Sequence, residues 1–451
     1  MTAPAKIVLI GAASASFGSE TLAGLVDEPE LHGAHVVLVD VDPDGLETMA
    51  ALARRMSDAR GAGLTVEHTT DRRAALAGAD FVIVSVEADR LRTWRSDWEL
   101  PRRHGMRHIQ GENGGPGGLS HALRTIPLVL EICRDVEAIA PGALVLNYTN
   151  PLTRVCLALD RYTDLRVVGL CHGASYAYLT VGEVLGWAAS DDDPHTSEEE
   201  AKAQMHRVPD LMEFEAAGLN HLAVMTALRD RRTGADLYPE FKRRFATQDS
   251  RWAPFSRRFM DTFGLWPLHG DTHVGEFLGW AHGDGPRFEQ LEARAAQERA
   301  AVAAAARGEL PLERIAEKTF PHRMDRAPAI IAATVAGRPQ YELGVNVRNE
   351  GCVQGLPDWA VVEVPGVVGP TGVRGVAMGA LPPGITAILA NEVAVQDRVV
   401  EAAVHGDREA ALQALLLDPV ANHDFDAASA LLDDLLRTHA AYLPQFARRA
   451  D

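Results

Sequence analysis

The feature that most restricts this chain lies at its start, where Ile7-Val8-Leu9-Ile10 runs straight into Gly11-Ala12-Ala13-Ser14-Ala15-Ser16-Phe17-Gly18. A run of β-favouring apolar residues with no polar alternation reads as a strand buried on both faces, which is the habit of parallel sheets sandwiched by helices. The same signal returns at Val36–Val39, Phe81–Ser85, Ala143–Leu146 and Val167–Leu170, with longer amphipathic stretches between. That rhythm predicts an α/β fold, with an N-terminal parallel sheet built from strand-helix-strand units and a C-terminal mixed α+β part.

A small-residue turn between the first strand and a helix starting near Ser19 lets backbone N–H groups and the positive helix end approach a pyrophosphate. Gly11, Ala13, Ser14, Ser16 and Phe17 are therefore candidate nucleotide contacts in a Rossmann-like unit. The spacing departs from GxGxxG because Ala13 stands at the second glycine. The second strand ends on Asp40, whose carboxylate can accept bonds from ribose hydroxyls and would repel a 2′-phosphate, so NAD is expected over NADP. Helix capping is the ordinary alternative for Asp40. Asn147, at the end of the fourth expected strand, joins the nucleotide set.

At 451 residues and 47% apolar composition the chain is long enough to bury two cores. The strand rhythm fades after Cys171, which puts the expected boundary near residue 175: a dinucleotide-binding domain over 1–175 and a substrate, metal and oligomerisation domain over 176–451. The later part carries a strand-like piece at Leu219–Met225, helices over Gln290–Arg307 and Ala390–Val404, and a Gly/Pro-rich stretch around the apolar Ala360–Val364 run. The acidic Asp191–Glu200 segment reads as a solvated loop or an exposed helix start. A net charge of −18 disfavours nucleic acid and anionic membrane as partners, leaving small molecules. No apolar run reaches membrane-spanning length and no signal sequence opens the chain, so a cytoplasmic protein is expected. The four cysteines show neither a paired framework nor CxxC spacing, as in a reducing compartment.

Polar clusters follow several strand ends, where open parallel sheets hold their ligands. They are Gln110-Gly111-Glu112-Asn113-Gly114-Gly115-Pro116-Gly117-Gly118, Asn147-Tyr148-Thr149-Asn150-Pro151-Leu152 and Gly169-Leu170-Cys171-His172-Gly173. A further cluster, Gly218-Leu219-Asn220-His221, lies in the second part. Together with Leu123-Arg124-Thr125-Ile126-Pro127, Gly270-Asp271-Thr272-His273, Leu356-Pro357-Asp358 and Val361-Val362-Glu363-Val364-Pro365, their order resembles glycoside hydrolase family 4, the NAD- and metal-dependent glycosidases. The resemblance covers most of the chain.

That resemblance implies hydrolysis by redox elimination, an exception to the paired-carboxylate scheme. Hydride passes from sugar C3 to NAD⁺, the acidified C2 proton is removed, the aglycone leaves, water adds and the hydride returns. In the family a cysteine and a histidine hold a manganese-like ion, and the matching residues are Cys171 and His221. Glu112, Asn113 and Asn150 match positions that line the sugar and metal site. Two departures stand out: the phosphosugar branch has an aspartate directly after the metal cysteine and a tyrosine base further on, whereas this chain has His172 and no Tyr-Tyr pair in the later segment. Its acid and base therefore differ, with Asp271 expected as the C2 base, His273 the less favoured candidate, and His172 an acid or orienting donor. Family members also self-associate, which implies a homo-oligomer.

The segment from Asp89 to His104 is basic within an acidic protein. If Arg92 or Arg95 faces the pocket, the sugar carries an anionic C6 group, because guanidinium binds oxyanions through several hydrogen bonds. The Gly-Glu-Asn-Gly-Gly-Pro-Gly-Gly and Gly-Asp-Thr-His forms are most similar to the NAD-dependent sulfoquinovosidase branch, with α-glucuronidases and α-galactosidases next. Outside this class, an NAD-dependent hydroxy-acid dehydrogenase would share the nucleotide unit but consume NAD⁺ stoichiometrically, and an NAD-sensing binding protein would show no chemistry.

Overall fold

The protein is described here by a computed structural model covering residues 4–188, 198–316, 325–421 and 424–447. Six parallel strands open the chain: β1 (Lys6–Ile10), β2 (His35–Val39), β3 (Thr65–Thr69), β4 (Phe81–Val84), β5 (Leu144–Asn147) and β6 (Arg166–Gly169). They pair in the order β3-β2-β1-β4-β5-β6, so the chain reverses direction across the sheet between β1 and β4. That switch point is where an open α/β sheet leaves a crevice at its strand ends. Five of these strands coincide with the expected ones to within a residue. The sixth, β3, escaped the apolar pattern because it is the edge strand, with only Val66 buried among Thr65–Thr69.

Alternate residues of the strands feed two separate cores. Val8, Ile10, Val82 and Val84 face one side, Ile7, Leu9, Val36 and Ile83 the other. The connecting helices obey local rules: Pro43–Arg60 begins with Asp42 accepting from Gly45 N at 3.1 Å, has proline at its first position, and ends on Gly61 in the left-handed region. Such a cap contributes about 1 kcal/mol.

The sheet continues without a break past residue 175. β6 is followed by β10 (Gln340–Arg348) and β11 (Val361–Gly369), then by the hairpin β7 (Met212–Leu219) and β8 (Leu222–Asp230) and the short β9 (Trp266–Pro267); β12 (Gly372–Gly375) pairs with β11. The strand-like piece expected at Leu219–Met225 is thus the turn of a hairpin and the start of its second strand. Helices Pro383–His405, Arg408–Leu417 and Phe425–Thr438 return to the first half, where Val395, Val399, Ala411 and Leu431 share a core with Val8 and Val82. Strand direction changes near residue 175, the boundary expected between 1–175 and 176–451, and the C-terminal helices cover one face of the N-terminal sheet, so the two parts share a core. The helices at Phe288–Arg307 and Pro383–His405 match expectation in type. Most of the Asp191–Glu200 stretch lies outside the described residues. Among the described residues no helix is long and apolar enough to cross a membrane.

Candidate active site

The turn after β1, expected to hold a nucleotide, is shaped by close approach. Gly11 has φ +92°, and a Cβ there would lie 1.8 Å from the Ser85 carbonyl oxygen at the end of β4. Gly18 meets Ala12 O in the same way, at 2.7 Å, so the turn folds tightly over the start of the helix Phe17–Asp27. Ser14 Oγ accepts from Phe17 N at 3.2 Å, and Ser16 is exposed beside it. Asp40 does not cap a helix. Its Oδ2 accepts from Ala13 N at 2.9 Å and its Oδ1 from Val41 N at 2.7 Å, tying the end of β2 to the turn. Asn147 is fully buried and its amide pairs with both backbone groups of Thr149, so its side chain shapes the loop after β5.

Cys171 and His221 are 50 residues apart in sequence, yet Cys171 Sγ and His221 Nε2 lie 3.6 Å apart. Cys171 follows β6, and His221 occupies the two-residue turn between β7 and β8 with φ +64°. With bonds of about 2.3 Å to sulfur and 2.1 Å to nitrogen, as for zinc, this separation corresponds to an angle of about 110° at a shared ion. The pair therefore fits two corners of a divalent site. Among the described residues no third cysteine, histidine or carboxylate completes it, which leaves the other corners to substrate oxygens and water. Burial pushes the Cys171 thiol up to about 12, with Glu363 acting in the same direction, and burial draws His221 down to about 4 against the opposing pull of Glu112. A bound cation would reverse the thiol's preference, since the thiolate is the ligand.

Carboxylates and histidines surround this centre. Glu276 Oε2 accepts three consecutive backbone N–H groups, Glu112 at 2.7 Å, Asn113 at 2.5 Å and Gly114 at 3.1 Å, which wraps the loop around one buried anion site. The other Glu276 oxygen is 3.9 Å from His221 Nδ1. Burial and the neighbouring Glu112 raise the Glu276 carboxyl to about 7. Burial would also raise Glu112, but Arg90, with smaller contributions from His121, His221 and His273, brings it down to about 2. Glu112 is held between Arg90 Nη2 and Gln110 Nε2, both at 2.8 Å. Asn113 Oδ1 accepts from Leu152 N at 3.3 Å while its buried Nδ2 has no protein partner, a donor available to a ligand. Asn150 is half-buried at the end of the loop after β5.

The candidate acid and base residues separate. His273 packs its ring against His221, with centroids 4.3 Å apart, and its Nδ1 is 3.0 Å from Thr272 Oγ1. Asp271 has both carboxylate oxygens engaged by Phe255 N (2.9 Å) and Ser256 N (2.8 Å) at the start of the helix Pro254–Phe263. The structure therefore gives Asp271 a different task from the expected one: both of its oxygens are committed to backbone N–H groups at a helix start. His172 lies between the two sites: its ring stacks 6.1 Å from Phe17 and sits 5.8 Å from Tyr148, and its buried Nε2 has no partner.

Arg92 and Arg95 do not face the site. Arg92 pairs with Asp89 and donates to Tyr442 Oη at 2.8 Å on the surface; Arg95 pairs with Glu289 and Glu292 at 3.1 Å and lies over the Phe288 ring. The arginine of that segment that does reach the site is Arg90, at the first position of the helix Arg90–Arg103, where it also pairs with Glu87 at 2.8 Å. Sequence reading missed Arg90, Glu276, and the pair His269–Glu363, whose Nε2 and Oε2 approach to 3.1 Å behind Asn220. Glu363 had left a signal: a lone carboxylate inside the run Val361-Val362-Glu363-Val364 must be buried with a partner. Glu276 left none, because its role depends on a loop 162 to 164 residues earlier folding around it.

Known proteins match this architecture along its length. Residues 6–186 match the family 4 glycosyl hydrolases and residues 216–421 their C-terminal domain. An alpha-glucosidase of Erwinia rhapontici is 30% identical, covering 97% of this chain and 98% of that protein. An alpha-galactosidase of Bacillus subtilis is 28% identical over 98% of this chain and 99% of its own length. Among solved structures, a 6-phospho-alpha-glucosidase from gut microorganisms, in complex with NAD and Mn²⁺, superposes with TM-score 0.79 at 24% identity, covering 98% of this chain and 99% of that one. The 6-phospho-beta-glucosidase of Thermotoga maritima, solved with manganese, NAD⁺ and glucose-6-phosphate, gives 0.78 at 21% identity, covering 97% and 99%.

Proposed function

The chain belongs to glycosyl hydrolase family 4, and from that membership we propose that it cleaves α-glycosides of uncharged hexoses by NAD-dependent redox elimination. The observation that carries the reading is the Cys171–His221 approach of 3.6 Å beside a tight nucleotide turn. When bound, NAD supplies a reversible hydride acceptor for sugar C3 and a divalent ion polarises the neighbouring sugar oxygens. The Gly11–Phe17 turn, with its backbone N–H groups and helix start, fits the pyrophosphate, and Asp40 fits the ribose. Cys171 and His221 would hold the ion.

The chain's own groups then divide the remaining work. Glu112, Asn113 and Asn150 orient the sugar hydroxyls, the Asn113 amide donating where it has no protein partner. His273 is assigned the C2 proton, because its ring lies against His221 while Asp271 is committed to a helix start. His172, between the turn and Cys171, is assigned to orient or protonate the leaving oxygen through Nε2.

The sulfoquinovoside preference expected from the sequence rested on motif form and on Arg92 or Arg95 facing the sugar, and these two arginines lie elsewhere. Arg90 is present, but Glu87 and Glu112 bracket it, so the arginine is already matched by two carboxylates and a sulfonate or carboxylate at C6 would meet excess negative charge. The alpha-glucosidase and alpha-galactosidase relatives support an uncharged α-hexoside, whereas an alpha-galacturonidase and a probable 6-phospho-beta-glucosidase of Bacillus subtilis, 25% and 29% identical, bear names for anionic sugars.

The test is nitrophenol release from 4-nitrophenyl α-glucoside, α-galactoside, α-glucuronide and α-sulfoquinovoside, with and without NAD⁺ and Mn²⁺, while following NADH absorbance. Release from the neutral glycosides without net NADH is expected. Release from the sulfoquinovoside or the glucuronide alone would return the anionic sugar. No release from any glycoside, with NADH accumulating on free hydroxy acids, would make the protein a dehydrogenase.

A further inference from the structure

The helix Phe288–Arg307 has one end on each face of the sheet. At its start Phe288 packs edge-on against Trp94 (5.5 Å between centroids) and Trp98 (6.2 Å) of the Arg90–Arg103 helix, reinforced by Arg95 over its ring and by the Arg95 pairs to Glu289 and Glu292. That helix belongs, through Leu100, to the core with Val8 and Val82. At the other end Val302 and Ala305 are buried in the opposite core, with Ile7, Leu9 and Met49. Fourteen residues separate Phe288 from Val302, a rise of about 21 Å at 1.5 Å per residue. The helix thus bridges from one face of the sheet to the other.

Between its anchors nothing is buried. From 289 to 300 every residue is exposed except Leu291, Ala295 and Glu298, which are half-buried and lie at i, i+4 and i+7 on one helix face, in line with Val302 and Ala305. Helices ordinarily gain stability by burying such a face, so three turns with an inward but unpacked stripe leave room beneath them. The core that takes Val302 and Ala305 also holds Leu22 and Leu25 of the helix Phe17–Asp27, with Ala15, Phe17 and Ala301 packed against it, so the stripe runs beside the turn that follows β1; burial, then Asp325 and Glu298, raise the carboxyl of Glu20 in the first turn of that helix, and Glu298 is held to Arg294 at 2.9 Å.

We infer that the helix Phe288–Arg307 roofs the dinucleotide crevice, with Leu291, Ala295 and Glu298 facing the bound cofactor and slowing its escape. This rests on the NAD reading of the site. A cofactor that ends each turnover unchanged gains from being retained, and a helix pinned at both ends gives that retention without a moving loop. Two apolar residues suit contact with an adenine or ribose face, and the Glu298 carboxylate can accept from a sugar hydroxyl or the adenine amine.

The experiment places bulk on the two sides of the same turn. Ala295→Trp fills the space under the roof, whereas Ala296→Trp adds the same ring on the exposed side; neither position is packed, so both variants should melt like the parent. NADH fluorescence titration and stopped-flow release are the readouts. Weakening of NADH binding by at least about 30-fold (about 2 kcal/mol) for Ala295→Trp, with less than about 3-fold for Ala296→Trp, is expected. Phe288→Ala, which frees the leading end, should speed NADH release about 10-fold, equivalent to about 1.4 kcal/mol. As a version that adds little volume, Ala295→Cys should be alkylated more slowly with NADH present and Ala296→Cys at an unchanged rate, each followed at that residue by peptide mass mapping. NADH affinity unchanged in Ala295→Trp, or no protection of Ala295→Cys, sinks the roof alone. Failure of the parent to bind NADH at all sinks the cofactor reading, and the roof with it.

Discussion

The turn after β1 and the Cys171–His221 centre belong to one sheet, with β4 and β5 between β1 and β6, but are made in opposite ways. The first is local: Gly11 to Phe17 are consecutive, and Asp40 arrives one strand-helix-strand unit later. Its geometry follows from a turn that only glycine allows, packed against an adjacent strand. The second is assembled from residues 90, 112, 171, 221, 273 and 276, brought together by a loop, a hairpin turn and short helices. Where the first is largely backbone, the second is side chains that hold one another by charge: Glu112 by Arg90, and the loop Glu112-Asn113-Gly114 by Glu276. A local site tolerates change elsewhere, whereas an assembled one depends on distant contacts.

The contrast can be broken most severely at the assembled centre. Cys171→Ser or His221→Ala should lower kcat by about 10³-fold, some 4 kcal/mol, while NADH affinity stays within about 3-fold. Steady-state rates with Mn²⁺ beside NADH titration read both quantities. A variant that lost activity and NADH binding together would show that the two sites are one unit.

The reverse lesion belongs to the turn. Gly11→Ala demands a Cβ 1.8 Å from Ser85 O and an unfavourable φ, so the turn must open. NADH affinity should fall about 100-fold, near 3 kcal/mol, while Mn²⁺ bound in equilibrium dialysis changes little. Undiminished NADH binding in this variant would remove the turn from the cofactor site.

A milder test asks whether long-range pairs hold the assembled side. Asp97, in the Arg90–Arg103 helix, is buried against Arg124 (2.5 Å) and His439 (3.0 Å). Burial alone would raise its carboxyl, but Arg124 and then His439 lower it to about 2. A carboxyl depressed in the folded state stabilises the protein above its unfolded value, near 4, and that stabilisation is lost as pH falls from about 4 toward 2. The loss is of the order of 2 kcal/mol. Acid unfolding followed by circular dichroism should therefore lose part of its steepness between pH 4 and 2 in Asp97→Asn. An identical acid limb in the variant would mean that the pair contributes nothing.

Five of the six parallel strands and the small-residue turn after the first were legible in the sequence, because strand burial and glycine geometry are local; the order of motifs singled out Cys171 and His221 through resemblance, and the fold brings them to 3.6 Å. Arg92 and Arg95 were chosen over Arg90 because a basic run carries no sign of which residue faces inward; the helix start at Arg90 and the Phe288 anchor decided it. Asp271 carries the right chemistry for a base, and only the helix Pro254–Phe263, beginning against its carboxylate, showed where that charge is spent. By itself the sequence determined the sheet, its turn and the family, since these follow from the periodicity and residue types of contiguous segments. The tertiary structure alone decided the meeting of Cys171 with His221, the burial of Glu276 under its loop and the bridge of Phe288–Arg307 across the sheet, because contacts between segments 50 to 200 residues apart are fixed by packing and charge pairing that no local pattern encodes.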